Sequence, residues 1–160
     1  MPHDGQDMTM QTSSVLDDLL TLTAAALPSV DAVLEKALAS VRAVVTADGR
    51  VSASLIEAHQ TAAHGLAWLA TYAQALHQMQ AWAERLKADN RFGETEQLLH
   101  QIAFGEYLWQ IHGGIQMNQG EVVRLQDMGL SQDDQRALMD PAIMTLTQGG
   151  NTQAARTRLV

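Results

Sequence analysis

The chain has 160 residues, enough for one domain that buries roughly 70% of the surface its unfolded form exposes. A formal charge of −8 and an isoelectric point near 5.0, with ten scattered basic residues, argue against nucleic acid or an anionic membrane as partner. With no cysteine there is no disulfide framework, thiolate nucleophile or cysteine-ligated zinc, and a cytoplasmic location is expected.

Residues 1–14 have neither a basic start nor an apolar run, so they read as a disordered tail and not as a signal peptide. Ala, Leu and Gln dominate the rest of the chain and β-branched residues are sparse, which predicts an all-α domain. A short apolar segment spans Val15 to Leu27. Pro28 then suits the first turn of a helix running to Val45. Ala47-Asp48-Gly49-Arg50 reads as a turn. Ser54 and Glu57 have capping-box spacing, with Ser52 as the alternative cap, and start the next helix.

That helix meets no break signal before Asp89-Asn90, which makes it about 35 residues, or ~50 Å, long. Gly65 inside it costs about 1 kcal/mol relative to Ala and need not end it. Residues 58–83 contain no Asp, Glu, Lys or Arg. A membrane span is excluded all the same, because His59, Gln60, His64, Gln74, His77, Gln78 and Gln80 interrupt it. Read in sevens, Leu55, Ala62, Leu69, Leu76 and Ala83 form one row. Ala58, Gly65, Tyr72, Met79 and Leu86 form a second, and the pair makes a coiled-coil-like seam. A third row, Trp68, Ala75 and Trp82, widens the apolar face.

Asn90 to Gly93 reads as a tight connection into a helix over 94–112, which Gly113-Gly114 ends in the left-handed manner. Only Glu106 carries a formal charge between Gln97 and Gly120. Ile115 to Gln119 is expected to be a packed loop, and Glu121 to open a short helical turn. Ser131 with Asp134 caps a helix ending near Met139. Asp140-Pro141 starts another to Gln148, broken by Gly149-Gly150. Thr152 to Val160 reads as helical with no stop signal, which leads us to expect a longer polypeptide. The resulting architecture is an antiparallel helical hairpin (53–89 with 94–112) flanked by the 28–46 helix and short C-terminal helices.

Catalytic chemistry is not encoded in any recognisable pattern. His59 and His64 lie about 140° apart on a helix and cannot share a metal. Glu96 and His100 could face one way, but a capping carboxylate beside a polar-edge histidine accounts for them better, so no metal is expected. Nucleophile elbow, dinucleotide fingerprint and P-loop are all lacking. Glu106 invites consideration as a base of raised pKa; structural pairing is the stronger reading. Leu55, Trp68, Leu69, Tyr72, Leu76, Met79, Trp82, Phe104, Tyr107 and Trp109 are expected to serve packing or an interface.

Two blocks carry a family resemblance: His59 to Tyr72 (HQTAAHGLAWLATY), and Gln101 to Leu108 (QIAFGEYL) followed by Gly113 to Glu121 (GGIQMNQGE). Over about Leu27 to Val160 the chain resembles the helical N-terminal extension of bacterial FAD-dependent acyl-CoA dehydrogenases of the methylsuccinyl-CoA dehydrogenase type. The resemblance implies that FAD binding and Cα–Cβ oxidation of a CoA thioester reside in a core absent from this chain. No catalytic or cofactor-binding residue carries over, and Glu106 is not the family's base. The implied partner is the dehydrogenase core, in the same chain or a sister subunit, within a homo-oligomer. Two other readings stay open: a scaffold self-associating through Leu55, Leu69, Tyr72, Leu76 and Met79, and an acyl-ligand bundle using Trp68, Tyr72 and Trp109.

Overall fold

A computed structural model describes residues 14–160, so the expected tail lies outside the described residues apart from Ser14. The described chain is mostly helical, as expected. Its order is α1 (Leu19–Val45), β1 (Thr46–Ala47), β2 (Arg50–Val51), α2 (Ala53–Ala58), α3 (Gln60–Ala88), α4 (Glu94–Gly113), β3 (Ile115–Asn118) and β4 (Glu121–Val123). A 3₁₀ turn (Leu125–Met128), α5 (Gln132–Gln135), a second 3₁₀ turn (Arg136–Met139), α6 (Pro141–Gly149) and α7 (Gln153–Leu159) complete it.

Pro28 does not begin the first helix; it sits inside it. Leu19, Thr23, Ala26, Val30, Val33, Ala37, Val41 and Val45 form one buried stripe at three- to four-residue spacing, and the stripe runs straight past the proline. An interior proline costs about 3 kcal/mol. Several buried aliphatic side chains, each contributing about 1.5–3 kcal/mol, offset it. Pro28 and Ala24, whose carbonyl the missing N–H would have engaged, both lie on the exposed face, so water can take that carbonyl.

The turn after α1 forms as read: Asp48 and Gly49 have φ of 50° and 73°, which folds β1 back on β2. The cap of the next helix is Ser52, not Ser54. Its hydroxyl accepts from Leu55 N–H, and Ser54 Oγ lies 2.9 Å from Ser52 Oγ. The expected single long helix is broken at His59, with φ −115° and ψ 34°. No Gly or Pro marks the place. It is where burial begins, because α2 buries none of its residues while Ala62, Gly65 and Leu69 of α3 are buried.

From there α3 and α4 run as the expected hairpin, joined through Asn90 at φ 55°. The heptad row Ala62, Leu69, Leu76 and Ala83 is buried, and Ala58 of the second row is exposed. Glu96 accepts from Gly93 N–H at 3.0 Å and caps α4. The helix does not end in the left-handed manner, since Gly114 has φ 135° and ψ 132° and leads directly into a strand.

The expected loop and helical turn after it are instead a hairpin, with Ile115 opposite Val123 and Gln116 opposite Val122. Alternation decides this: Ile115 and Val123 point into the core, Gln116 and Val122 out. Asn118 Oδ1 accepts from Gly120 N–H at 2.9 Å and closes the turn.

The C-terminal caps are as read. Ser131 Oγ accepts from Asp134 N–H, Asp134 answers at Ser131 N–H, and Asp140 Oδ1 accepts from Ala142 N–H ahead of Pro141. Bonds from Lys36 and Ser131 hold Asp134 well below the usual carboxylate range. Helices α1, α3 and α4 enclose the core, whose largest member is Phe104, and α6 bridges α1 and α4.

Candidate functional site: the outer face of the helical hairpin

Helix α4 splits its side chains four ways. Phe104, Leu108 and Ile111 enter the core, Gly105 meets α6 and the connection at Asn151, Tyr107 and Gln110 meet α3, and Leu99, Ile102, Glu106 and Trp109 face outward. Gly105 is required where it is. A Cβ there would lie 2.8 Å from Leu146 O and 3.0 Å from Asn151 N, and neither backbone atom can give way. Alongside runs the half-buried flank of α3 with Trp68, Tyr72, Ala75, Met79 and Trp82. The Tyr72 and Tyr107 rings lie 4.7 Å apart, and Trp68 stands edge-on to Tyr72 at 6.2 Å. The combined surface displays large apolar groups, with Trp109 58% and Leu99 46% exposed, and within 68–82 of α3 and 99–109 of α4 the one formal charge is Glu106.

Glu106 is paired, as expected, although by amides instead of an arginine or amine. Gln110 Nε2 donates to its Oε1 at 2.6 Å and Asn151 Nδ2 to its Oε2 at 2.6 Å. Arg156 reaches it only through Asn151 Oδ1, at 3.0 Å. On the other side Tyr72 O–H donates to Gln110 Oε1 at 2.7 Å. Burial first, then the Tyr107 and Glu106 charges, raises the Tyr72 pKa, which keeps that proton in place. The chain Tyr72–Gln110–Glu106–Asn151–Arg156 therefore ties α3, α4 and α7 together.

Beside it lies a cleft of about 330 Å³ bounded by Glu106, Trp109, Thr147, Gln148, Asn151 and Arg156. Its one hydroxyl, on Thr147, donates to the Ile143 carbonyl at 2.9 Å and is not offered as a nucleophile. Among the described residues no three His, Asp or Glu gather to hold a metal. Glu96 and His100 point apart: Glu96 caps α4, and His100 is not at a polar edge but fully buried.

The expected interface residues fall into distinct groups. Leu69, Leu76 and Phe104 are buried within the chain itself. Leu55, Trp68, Tyr72, Met79 and Tyr107 pack partly on the core, Trp82 is half-buried, and Trp109 is exposed. The seam through Leu69 and Leu76 is thus used up inside one copy and cannot serve self-association. Nor do Trp68, Tyr72 and Trp109 share a ligand cleft, because Trp109 lines the α6–α7 side and its ring neighbour is His112, at 6.2 Å.

Sequence reading missed the buried polar residues Thr23, Gln80, His100 and Gln101. Their positions on the buried stripes (Thr23 four after Leu19, His100 four before Phe104) were the available signal. Gln101 Nε2 donates to Ser14 O at 2.7 Å and Gly150 O at 3.2 Å, while its Oε1 accepts from Leu16 N–H at 2.9 Å. Gln101→Leu would strip these partners from buried backbone groups. A loss of about 2 kcal/mol is expected in urea unfolding, with the m-value unchanged.

No family model matches the chain. It is 52% identical over 153 residues, 94% of its length, to (2S)-methylsuccinyl-CoA dehydrogenase of Cereibacter sphaeroides. The chain spans about a quarter of that relative, 27% of its length. No helix of the described residues is long and apolar enough to cross a membrane.

Proposed function

We propose that this chain is a non-catalytic helical accessory segment of an FAD-dependent acyl-CoA dehydrogenase. It stands N-terminal to the catalytic core and docks on that core, or on a sister subunit, through the outer face of α3 and α4. The observation that carries the reading is the pairing of 52% identity across 94% of the chain with coverage of only 27% of the dehydrogenase. Physical chemistry supports it. An outer face bearing Trp68, Trp82, Leu99, Ile102 and Trp109, with one carboxylate that already accepts from two amides, gains by leaving water. Oxidation at Cα–Cβ of a CoA thioester such as methylsuccinyl-CoA, with FAD as acceptor, falls to the core. Under this reading the assembled enzyme is a cytoplasmic homo-oligomer.

The chain produced alone is expected to fold without flavin and to leave acyl-CoAs unoxidised. Co-produced with the dehydrogenase core, it is expected to co-purify. Flavin on the lone chain, or turnover by it, would overturn the assignment. Paired Ile102→Glu and Trp109→Glu substitutions are expected to weaken association at least about tenfold, ~1.4 kcal/mol. The melting temperature of the lone chain should hardly move, because both side chains reach the surface. Undiminished association would place the docking surface elsewhere.

A further inference from the structure

Three helices each send one polar side chain to the same dry spot: Thr23 from α1, Gln80 from α3 and His100 from α4, exposed 0%, 5% and 0% respectively. Their hydrogen bonds have a fixed direction. Gln80 Nε2 is spent on Leu20 O at 3.2 Å and Glu84 Oε1 at 2.9 Å, so Gln80 Oε1 must accept. Thr23 supplies that bond at 2.6 Å. The Leu19 and Leu20 carbonyls, at 3.0 and 3.2 Å, compete for the same hydroxyl proton; all three neighbours being acceptors, Thr23 Oγ1 accepts from His100 Nε2, at 3.1 Å. His100 is therefore the Nε2–H tautomer, and its buried Nδ1 is left with a bare lone pair and no partner.

Around the ring stand Phe92, at 5.9 Å between centroids, and Phe104, at 4.7 Å. The charged groups on the surrounding elements do little for a proton at Nδ1. Glu84 on α3 is the one whose charge favours it. Lys87 follows Glu84 on α3. Asp17 and Asp18, just before α1, and Asp89 and Arg91, in the α3–α4 connection, all lie at the surface. Glu96 is engaged at Gly93 N–H, and Glu94 pairs with Arg158 of α7. The neighbouring residue of α4, Gln101, grips Ser14 and Leu16, so positions 100 and 101 both tie the entry into α1 to α4.

We propose that the Thr23–Gln80–His100 junction is an acid-operated latch: it holds Ser14–Thr23 against α3 and α4 and releases that segment when a proton enters at His100 Nδ1. Proton entry puts a charge where only aromatic rings and aliphatic groups can receive it, and the ring relieves this by leaving the junction. Thr23 then loses its donor, and the start of α1 loses its hydrogen-bonded tie to α4. Burial lowers the His100 pKa from 6.5 to about 4. The latch therefore holds above about pH 6.5, and the closed form loses ground as pH falls from there toward 4.

Hydrogen exchange on the full chain tests this at about pH 7.5 and about pH 5, corrected for the intrinsic effect of pH. Amides of residues 16–26 are expected to lose about 30-fold in protection at the lower pH, the ratio that pKa values of 6.5 (open) and about 4 (closed) impose. His100→Gln keeps an amide donor for Thr23 but cannot take the proton, so the loss should vanish. A His100→Gln chain as acid-sensitive as the parent, or a parent equally protected at both pH values, overturns the proposal. Should that variant fail to fold, the ring nitrogen resonances of the parent decide. A protonated Nε2 with Nδ1 bare down to about pH 5 supports the latch, and ordinary titration near pH 6.5 in the folded protein ends it.

Discussion

Phe104→Ala is expected to remove about 3–5 kcal/mol from the unfolding free energy, the largest loss of any single truncation in this chain. Phe104 is fully buried, lies tilted against the His100 ring at 4.7 Å and stands in the core that α1, α3 and α4 enclose. Removing the ring leaves a void lined by side chains of three different helices. No one of them can close it without losing contact with the other two. Marginal stability of about 5–15 kcal/mol makes such a loss visible directly in urea or thermal unfolding. A value below about 1.5 kcal/mol would mean that the helices slide together freely, contrary to close packing.

Gly65→Ala is expected to destabilise the protein by about 1–3 kcal/mol, with the opposite sign to helix propensity. On propensity alone the change gains up to about 1 kcal/mol. The helix is not alone at this point, because strand β4 lays Val123 across it. A Cβ on Gly65 would overlap Val123 Cγ1 and come within 3.3 Å of its Cβ. A β-branched side chain with one favoured rotamer cannot swing aside. Val123→Ala in the Gly65→Ala background should therefore restore much of what either change costs alone, and a double-mutant cycle in urea reads the coupling. Additive losses would show that β4 does not press on α3 in solution.

How far the sequence foretold this structure depends on the range of the interaction that decided each element. The Asp48-Gly49 turn, the Ser131–Asp134 cap and the Asp140-Pro141 helix start were readable because neighbours a few residues apart settle them. Pro28 misled because the stripe carrying α1 through it is stabilised by α3, α4 and α6, which local rules do not see. The break at His59 and the β3–β4 hairpin have the same origin, since each lies where a segment is drawn onto, or released from, a core made elsewhere. The seam of α3 was legible, but periodicity cannot say whether a neighbouring helix or a second copy fills it, and here α1 and α4 do. The buried polar junction stayed hidden because Thr23, Gln80 and His100 are 77 positions apart at the extremes and meet only in the folded chain.

The absence of ions along residues 58–83 has a consequence for how these molecules meet. Eight net negative charges make two copies repel, and the stretch from Ala58 to Ala83 adds no charge of its own to that repulsion. Counter-ions at physiological strength shorten its reach to about 8 Å. They leave untouched the attraction that comes from shedding water along the tryptophan-bearing flank. Low ionic strength thus biases first touch toward the tryptophan side, and saltier surroundings weaken that bias by opening the other approaches.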